Sequence, residues 1–555
     1  MRKNLNRMFN PFVIIFCIWF LLMGCAANKI QIKIQERVPA KSEEFFTAGV
    51  AKVDITPPPG YPMGGFSIAG KFSRGWWTRL YAKSIYLQDR PGNRLVLVSA
   101  DLWAFPAGLA DKICQVISEK EPALRLGREE IVFAATHTHH SPGNYSSSSA
   151  YTLQLGKRFG RGIWEAQQNA DMKLEGIISN AFKYVVIKDK SVETDFVEPG
   201  DTLCQPNPVF RTSKKSVPGV SALGGAENGR TIFFDFGFRE GVIDDECNGR
   251  QGAKKFTGKQ VFEEFLHIDT GEPINKMLLQ WIKNILSGQG PREIPLGVHS
   301  LGSVTFATLP GEFTFTLGHR IKNRLKKEHS ETAEIILIGP ANEYLSYFTT
   351  PSEFNAQHYE GAMTLYGQFS GTYVKQELAK LARLSDDTTY YKLNREYKVG
   401  SKVHKDFGRI REGDHWNMEE ALKNILQDHR TGAVHVRFPQ VAWTDRVIHL
   451  SEVMDLANRS VNPVVSVERQ QAQNRYSLVE SDTNSVNFVC LIHAVTGNTA
   501  HWRAIWMTSS EEDSTQAMRF KIGLPSGGTL YSADFRLEDY ASKKPIPLPI
   551  DAKKP

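Results

Sequence analysis

The stretch Ile131-Val-Phe-Ala-Ala-Thr-His-Thr-His139 joins a short apolar run to two histidines. The run over 131–135 is rich in β-branched and aromatic residues, which predicts a buried strand. In an extended segment, side chains two positions apart share a face, so His137 and His139 are expected on the same side. One would be a metal ligand and the other a neighbour acting as acid or oxyanion donor; the alternative is an ordinary surface pair.

Two further apolar runs end in residues that can bind metals. Residues 303–309 run into Pro-Gly and then Glu312, and residues 334–338 precede Tyr344 and Tyr347. In α/β folds, ligands gather at the carboxyl ends of strands, where exposed loops are held by rigid strands. Zinc takes N and O donors, and a catalytic site keeps one position open. The spacing therefore predicts a zinc site, although a lone Pro-Gly-Glu is more often a turn and a Tyr more often core.

Strands and helices alternate through about residue 385, which predicts an α/β domain. A strand is expected over 94–100, and helices are expected over 174–185, 314–327 and 365–384. A short helix is expected near 417–427. After Gly432 the chain carries short alternating apolar runs separated by turns, which predicts an all-β sandwich. We place the boundary near residue 430, giving domains over 48–430 and 431–555.

The first 25 residues have the composition of a targeting segment. Arg2, Lys3 and Arg7 precede an apolar stretch over 11–23, which is too short to span a membrane. Leu22-Met-Gly-Cys25 then resembles a bacterial lipoprotein box, in which Cys25 is the lipid anchor; the alternative is a plain signal anchor. Residues 26–47 are expected to form a tether. The protein is thus predicted to be an exported bacterial lipoprotein on a membrane surface, in the periplasm or on the outer membrane.

Composition excludes several classes of protein. Of 555 residues, 41% are hydrophobic and 23% charged, as in soluble globular proteins, so a disordered chain, a collagen and a polytopic membrane protein are excluded. The length predicts two or three domains. The net charge of +7 comes without a long basic run, so nucleic-acid binding has no support.

Four cysteines remain beyond the targeting segment, and none forms a CxxC pair. Cys204 and Cys247 flank a Gly-rich stretch and could form a disulfide in an oxidising compartment. Cys114 and Cys490 lie in apolar runs and are expected to be buried thiols. The sequence does not decide the connectivity.

Together these motifs resemble the neutral, zinc-dependent non-lysosomal ceramidases. The similarity spans residues 48 to 385, in the family's order. It is carried by the stretches GVAKVDIT (49–56), MGG (63–65), RGWWTRLY (74–81), VSAD (98–101), ATHTH (135–139), GVSALGGAENG (219–229), LPGEF (309–313), YLSYFTT (344–350), QHYEG (357–361) and TLYG (364–367). The β-rich C-terminal part occupies the place of the family's immunoglobulin-like domain.

The resemblance implies roles for individual residues. His137, Glu312 and Tyr347 resemble zinc ligands of the family, with Tyr344 a less favoured alternative to Tyr347. His139 resembles the active-site histidine beside the metal. The cofactor implied is Zn²⁺, and the substrate implied is a lipid, ceramide or another N-acyl amide.

One part of the family pattern is missing. The family carries a second His ligand and, after it, a segment Asn-x-Gly-Asp-x-Ser-Pro whose Ser is catalytic. Here no histidine lies between His140 and His267, and that segment is absent. His140 and His299 remain alternatives for a further ligand. Three readings stay open: hydrolysis of ceramide to fatty acid and sphingosine, hydrolysis of other N-acyl amino compounds, and a surface lipoprotein that binds lipid or glycan without turnover.

Overall fold

The structure is a computed structural model. It describes residues 27–34, 40–57, 59–60, 63–65, 73–120, 126–141, 159–160, 162–165, 167–168, 172–174, 177–198, 201, 209–214, 216, 291–328, 332, 334–356, 359–384, 393–400, 433–441, 462–472, 475–485, 487–496, 499–508, 515–525 and 528–538. Within these ranges no helix is long and apolar enough to cross a bilayer. The predicted signal peptide with Cys25, the pair Cys204 and Cys247, and the helix near 417–427 lie outside the described residues.

The strands of the described chain are β1 (Ala27–Ile34), β2 (Phe46–Asp54), β3 (Gly75–Trp76), β4 (Tyr81–Gln88), β5 (Arg94–Ala100), β6 (Ile131–Ala135), β7 (Met172–Leu174), β8 (Ile178–Val186), β9 (Glu293–Leu301), β10 (Val304–Thr308), β11 (Glu312–Phe313), β12 (Glu334–Ile338), β13 (Tyr347–Phe348), β14 (Leu393–Gly400), β15 (Ala433–Val441), β16 (Val464–Ala472), β17 (Arg475–Ser481), β18 (Phe488–Thr496), β19 (Thr499–Met507), β20 (Met518–Gly523) and β21 (Thr529–Tyr531). The helices are α1 (Ala107–Lys120), α2 (Phe315–Glu328), α3 (Pro351–Ala356), α4 (Tyr359–Ala362) and α5 (Ser370–Ala382).

The first sheet has the strand order β6-β5-β4-β2-β7. Strands β5 and β6 run parallel, from the pair Val96–Ile131 to the pair Ala100–Ala135. Side chains of β5, β6 and α1 share one buried core, to which every second residue of the two strands contributes. The strands predicted over 94–100 and 131–135 are confirmed, and their carboxyl ends lie side by side.

The second sheet has the order β12-β10-β9-β8, and β10 and β12 run parallel. Helices α2 and α5 contribute side chains to the core that covers this sheet. The strands predicted over 303–309 and 334–338 and the helices over 314–327 and 365–384 are confirmed. The α/β prediction thus holds in outline, although most described elements are strands.

The helix predicted over 174–185 is wrong. Residues Ile178–Val186 form β8, which pairs antiparallel with β9 along its whole length. The apolar residues also fit the helical period, but β9 offers a complete hydrogen-bonding ladder. Ladder pairing and burial decide the conformation of a segment whose intrinsic preference is weak.

The tether prediction for residues 26–47 is wrong in part. Residues Ala27–Ile34 form β1, which pairs antiparallel with β14, and Ile32 and Ile34 are buried in the first core. Phe46 begins β2 and is fully buried. The alternation Ile30-x-Ile32-x-Ile34 is the signal that marks this strand.

The described elements after residue 430 are all strands. They belong to two four-stranded sheets, β15-β19-β18-β3 and β17-β16-β20-β21. Buried side chains from both sheets form one core, which includes Trp502, Trp506 and Phe520. This agrees with the predicted all-β sandwich, while the immunoglobulin-like assignment stays a prediction.

A buried cation joins the sandwich to the first sheet. Arg79 Nη2 lies 2.7 Å from Asp482 Oδ2, and its Nη1 lies 2.7 Å from Asp54 Oδ2 at the end of β2. The side chains of Arg79 and Asp482 are fully buried. Burial alone would lower the pKa of Arg79, but Asp482 and Asp54 outweigh it and raise the pKa. Nearby, β3 of the N-terminal half pairs with β18.

The prediction that Cys114 and Cys490 are buried thiols is confirmed. Cys114 and Cys490 are free and fully buried. Burial raises the pKa of Cys114 to about 12, because a thiolate is poorly solvated in an apolar core. Both residues therefore act as small core side chains rather than as nucleophiles.

His299 lies inside the second sheet rather than at an open site. Its ring is fully buried on β9, and its Nδ1–H donates to Asn180 Oδ1 at 2.8 Å. No described residue hydrogen-bonds its Nε2. Burial and the nearby charge of Arg128 lower the pKa of His299 to about 3.

Because its pKa is lowered, His299 makes the folded protein less stable at acidic pH. The folded pKa lies below the ordinary value of 6.5, so the unfolded chain takes up a proton first as the pH drops. The contribution is complete above about pH 6.5 and is lost as the pH falls toward 3. We expect the free energy of unfolding of His299→Gln to depend less steeply on pH than that of the wild type, by about 1 kcal/mol per pH unit between pH 7 and 5. Urea unfolding at pH 7, 6 and 5 measures this; equal slopes for the two proteins would contradict it.

Candidate metal centre

Backbone contacts bring the ends of β6 and β12 together. Ala134 and Ala341 form an isolated bridge, and Ala135 N–H donates to Pro340 O at 3.1 Å. Asn342 adopts φ 61°, a left-handed conformation that asparagine tolerates better than most residues. The tyrosine segment that follows β12 is therefore fixed against the histidine segment that follows β6.

A second short ladder places Glu312 beside Tyr347. The two residues are register partners in the parallel pair β11–β13, and Glu312 N–H donates to Ser346 O at 2.9 Å. A Cβ atom on Gly311 would lie 2.4 Å from Ser346 O, which is too close. The glycine of Pro-Gly-Glu thus permits the approach that brings the carboxylate to the tyrosines.

His137 faces Glu312 with the ring nitrogen Nε2. Its Nδ1 lies 2.6 Å from Trp103 O, and since a carbonyl only accepts, Nδ1 carries the hydrogen. In the neutral ring Nε2 then has a free lone pair, and it lies 3.2 Å from Glu312 Oε1. Two acceptors at this distance need a proton or a cation between them. A backbone carbonyl that fixes the tautomer is the usual outer partner of a metal-binding histidine.

Both tyrosines contact the same carboxylate. Tyr344 OH donates to Glu312 Oε1 at 2.7 Å, and Tyr347 also hydrogen-bonds Glu312. Burial, and then Glu312, raises the pKa of both hydroxyls. The sequence favoured Tyr347 over Tyr344, and the structure brings both of them to Glu312.

His139 lies next to His137 with its ring at a right angle. The ring centroids are 5.2 Å apart and the interplanar angle is 89°. The His139 ring also hydrogen-bonds the backbone of Gly65, where a Cβ atom would lie 2.1 Å from its Nδ1. Burial, and then His137, lowers the pKa of His139. Gly65 therefore makes room for a half-buried histidine beside the centre.

Ser141 holds the histidine segment in place. Its side chain is buried, and Oγ accepts from Trp103 N–H at 2.8 Å and donates to Thr138 O at 3.1 Å. Its carbonyl accepts from Gly64 N–H at 2.8 Å. These bonds tie the segment that carries both histidines to the turn after β5 and to the loop that contacts His139.

Two residues of the site escaped the sequence reasoning. The Trp103 ring lies 4.6 Å from the Tyr344 ring, in addition to the contact of its carbonyl with His137. The Tyr359 ring lies 5.3 Å from the Tyr347 ring, and its side chain is 39% exposed. An aromatic residue directly after a strand end, as at Trp103, is the signal that could have drawn attention. Of the alternatives for a further ligand, His140 is exposed and His299 is buried elsewhere.

The donor set suits zinc only if tyrosine or water completes it. Among the described residues, no group of three or more His, Cys, Asp and Glu side chains could hold a metal ion. His137 Nε2 and Glu312 Oε1 supply one nitrogen and one oxygen, and the hydroxyls of Tyr344 and Tyr347 supply further oxygens. Nitrogen and oxygen donors of this kind fit zinc, which accepts both.

Comparisons with known proteins identify the family of the chain. A sequence model of the family "Neutral/alkaline non-lysosomal ceramidase, N-terminal" matches residues 46–157 and 150–376, more than half of the chain. Neutral ceramidase 2 of Arabidopsis thaliana is 34% identical over 123 residues, which are 21% of this chain and 15% of that protein. Neutral ceramidase A of Dictyostelium discoideum is 35% identical over 96 residues, 17% of this chain and 13% of that protein.

The matched stretches thus cover a small part of these relatives. In the solved neutral ceramidase of Pseudomonas aeruginosa, the similarity covers 89% of this chain and 99% of that one, with a TM-score of 0.53 and 15% identity. At that identity the likeness shows the fold alone. The extent of the sequence match decides the family: this chain belongs to the neutral/alkaline non-lysosomal ceramidases.

Proposed function

We propose that this protein is a zinc-dependent hydrolase that cleaves the amide bond of ceramide or a related N-acyl lipid to a fatty acid and a long-chain amine. One observation carries the proposal. His137 Nε2 and Glu312 Oε1 face each other at 3.2 Å while Trp103 O holds the opposite ring nitrogen, so a neutral His137 would present two acceptors to a cation. A pair of this kind is prepared for a cation.

The chain's own residues would then divide the work. His137, Glu312 and Tyr347 would hold the ion, and bound zinc polarises a carbonyl and activates a water. Trp103 O fixes the His137 tautomer, and Tyr344 OH, donating to Glu312, orients the carboxylate. Orientation by such outer contacts commonly changes metal affinity by about 10- to 100-fold.

His139 would serve the reacting amide rather than the ion. Its ring lies beside His137 and is supported by Gly65, so it can hydrogen-bond the developing oxyanion or the leaving nitrogen. The half-buried rings of Trp103 and Tyr344 line the same place and reduce the access of bulk water. The predicted lipid anchor at Cys25 would keep this site near a membrane that contains the substrate.

Zinc-loaded protein should be tested against amides that separate the three readings. The panel contains a fluorogenic N-acyl-sphingosine, an N-acyl amino acid and an N-acyl ethanolamine, and the release of the free amine is measured. We expect the sphingosine amide to be cleaved fastest. Faster cleavage of another member would assign a shifted specificity.

Failure of turnover has a defined meaning in this test. If the protein binds zinc but releases no amine from any member, the segment missing between His140 and His267 has removed catalysis. Binding of a ceramide analogue without turnover would then favour the second candidate, a lipid-binding surface lipoprotein. Chelator-treated protein is the negative control, and restoration by added zinc shows that the loss was due to the metal.

A further inference from the structure

The outer face of helix α2 is exposed next to the candidate metal centre. Leu317, Ile321 and Leu325 turn inward and are buried in the core of the second sheet. Phe315, the first residue of the helix, is 89% exposed. A single exposed apolar residue is common on protein surfaces, so its neighbours decide what Phe315 does.

Those neighbours form a stripe of cationic and polar groups. Phe315, His319, Lys322 and Lys326 fall at i, i+4, i+7 and i+11, so they share one side of the helix over a length of about 16 Å. The rings of Phe315 and His319 are stacked, with 14° between their planes. Lys327 is exposed beside the stripe.

The exposed side of helix α2 carries positive charge. Its one acid, Glu328, is paired with Arg324 at 2.8 Å and with Arg383 at 2.6 Å. Arg320 is paired with Asp201 at 2.8 Å. In the part of the chain that the structure describes, no ion pair involves Lys322, Lys326 or Lys327. Lys327 lies at the edge of this face and interacts electrostatically with Glu198. The charges of Lys322 and Lys326 in particular are therefore available to an external anionic surface.

The stripe begins close in sequence to the candidate metal centre. Phe315 follows Glu312 by three positions, and the intervening Thr314 is held on both sides. Thr314 N–H donates to Phe348 O at 3.1 Å, and its Oγ1 donates to Glu353 Oε2 at 2.6 Å. These bonds fix the backbone between Glu312 and the first residue of the helix, so the aromatic end of the stripe begins three positions after the carboxylate of the candidate metal centre.

We propose that this face of α2 docks on an anionic phospholipid surface, with Phe315 inserted among the acyl chains and Lys322, Lys326 and Lys327 at the headgroups. An exposed apolar ring beside clustered lysines on one helix face is the arrangement that binds such interfaces. Docking would hold the centre against the layer that contains an N-acyl lipid. The biological purpose of the contact rests on the proposed function, but the contact itself does not.

Vesicle sedimentation tests this contact in the chain without the predicted targeting segment, residues 26–555, so that neither an N-terminal lipid nor the basic and apolar residues before Cys25 contribute. Vesicles of phosphatidylcholine with phosphatidylglycerol are compared with vesicles of phosphatidylcholine alone. We expect preference for the anionic vesicles, weakened by salt. Lys322→Glu/Lys326→Glu/Lys327→Glu should weaken binding by about a hundredfold or more, since each lysine near such a surface contributes about fivefold. Phe315→Ser should weaken it by about tenfold.

Matched variants separate docking from net charge. Lys33→Glu/Lys83→Glu/Lys214→Glu makes the same charge change at exposed lysines on other elements, and Leu478→Ser removes an exposed apolar side chain from the sandwich. Both should bind like the parent. Equal weakening by the α2 triple variant and by its control would overturn the proposal, as would equal binding to the two kinds of vesicle.

Hydrolysis of a water-soluble, short-chain N-acyl substrate distinguishes this proposal from the proposed function. The α2 variants should cleave it at the parent's rate, because the helix face touches the membrane and not the reacting atoms. If no protein cleaves it, the proposed function fails while vesicle binding still decides the docking. If all cleave it and vesicle binding is unaffected by the variants, the docking proposal alone fails.

Discussion

Glu312→Ala is expected to release zinc and abolish hydrolysis. The carboxylate contacts His137 Nε2 and accepts from Tyr344, so its removal takes away one donor and the orienting contact together. Loss of an outer contact already costs about 10- to 100-fold in metal affinity, and loss of a ligand should exceed a hundredfold. His137→Ala should behave in the same way. Zinc content after dialysis against a buffered free-zinc series measures the effect directly, without relying on activity.

Glu353→Gln is the matched control for this experiment. Glu353 is also a partly buried carboxylate near β11, but its Oε2 is engaged by Thr314 and Thr350 rather than by His137. Its substitution should leave zinc content unchanged. The shared-ion interpretation would be wrong if Glu312→Ala kept wild-type zinc affinity, since the 3.2 Å contact would then be a protonated histidine paired with a carboxylate.

Asp482→Ala is expected to destabilise the protein by about 3–5 kcal/mol, because it leaves the Arg79 cation buried without its main partner. The remaining contact with Asp54 is partly exposed and cannot replace it. Chemical unfolding followed by tryptophan fluorescence should show the loss, because Trp76 donates to the same carboxylate and its environment changes with it.

Two further variants define the cause of that loss. Arg79→Met with Asp482→Leu removes both charges, and it should recover most of the stability, because no lone charge remains buried. Glu193→Ala breaks the exposed pair with Lys380 and should cost less than about 1 kcal/mol. Equal losses in Asp482→Ala and Glu193→Ala would show that the Arg79 pair contributes no more than a surface contact.

The strands that support the site were predictable from sequence because each is a short apolar run stopped by a turn. The strands of the parallel pairs β5–β6 and β10–β12 follow from such runs, whereas their pairing does not. His137, Glu312 and Tyr347 lie in contact after these strands, and their role as zinc ligands stays a prediction. The error at β8 has a physical reason. Its apolar residues satisfy two periodicities, and only the presence of β9 as a pairing partner selects the strand.

Other contacts of the site have no sequence signature. The acceptor that fixes His137 is the backbone carbonyl of Trp103, and every residue carries such a group. The space beside His139 depends on the missing Cβ of Gly65, which is one of 44 glycines in the chain. Two corrections thus concern long-range pairing, at β8 and at β1, and the omissions concern backbone groups whose role appears only in three dimensions.

Because β3 pairs with β18, the fold around β3 cannot be completed until the C-terminal part of the chain has been synthesised. Trp76 and Asp482, which lie at this contact, are 406 positions apart. A ribosome releases the N-terminal half long before it has made the strand that receives Gly75 and Trp76. We therefore expect β3 to remain unpaired in the nascent chain until β18 has been made. A protein truncated before residue 488 should depend on chaperones for solubility.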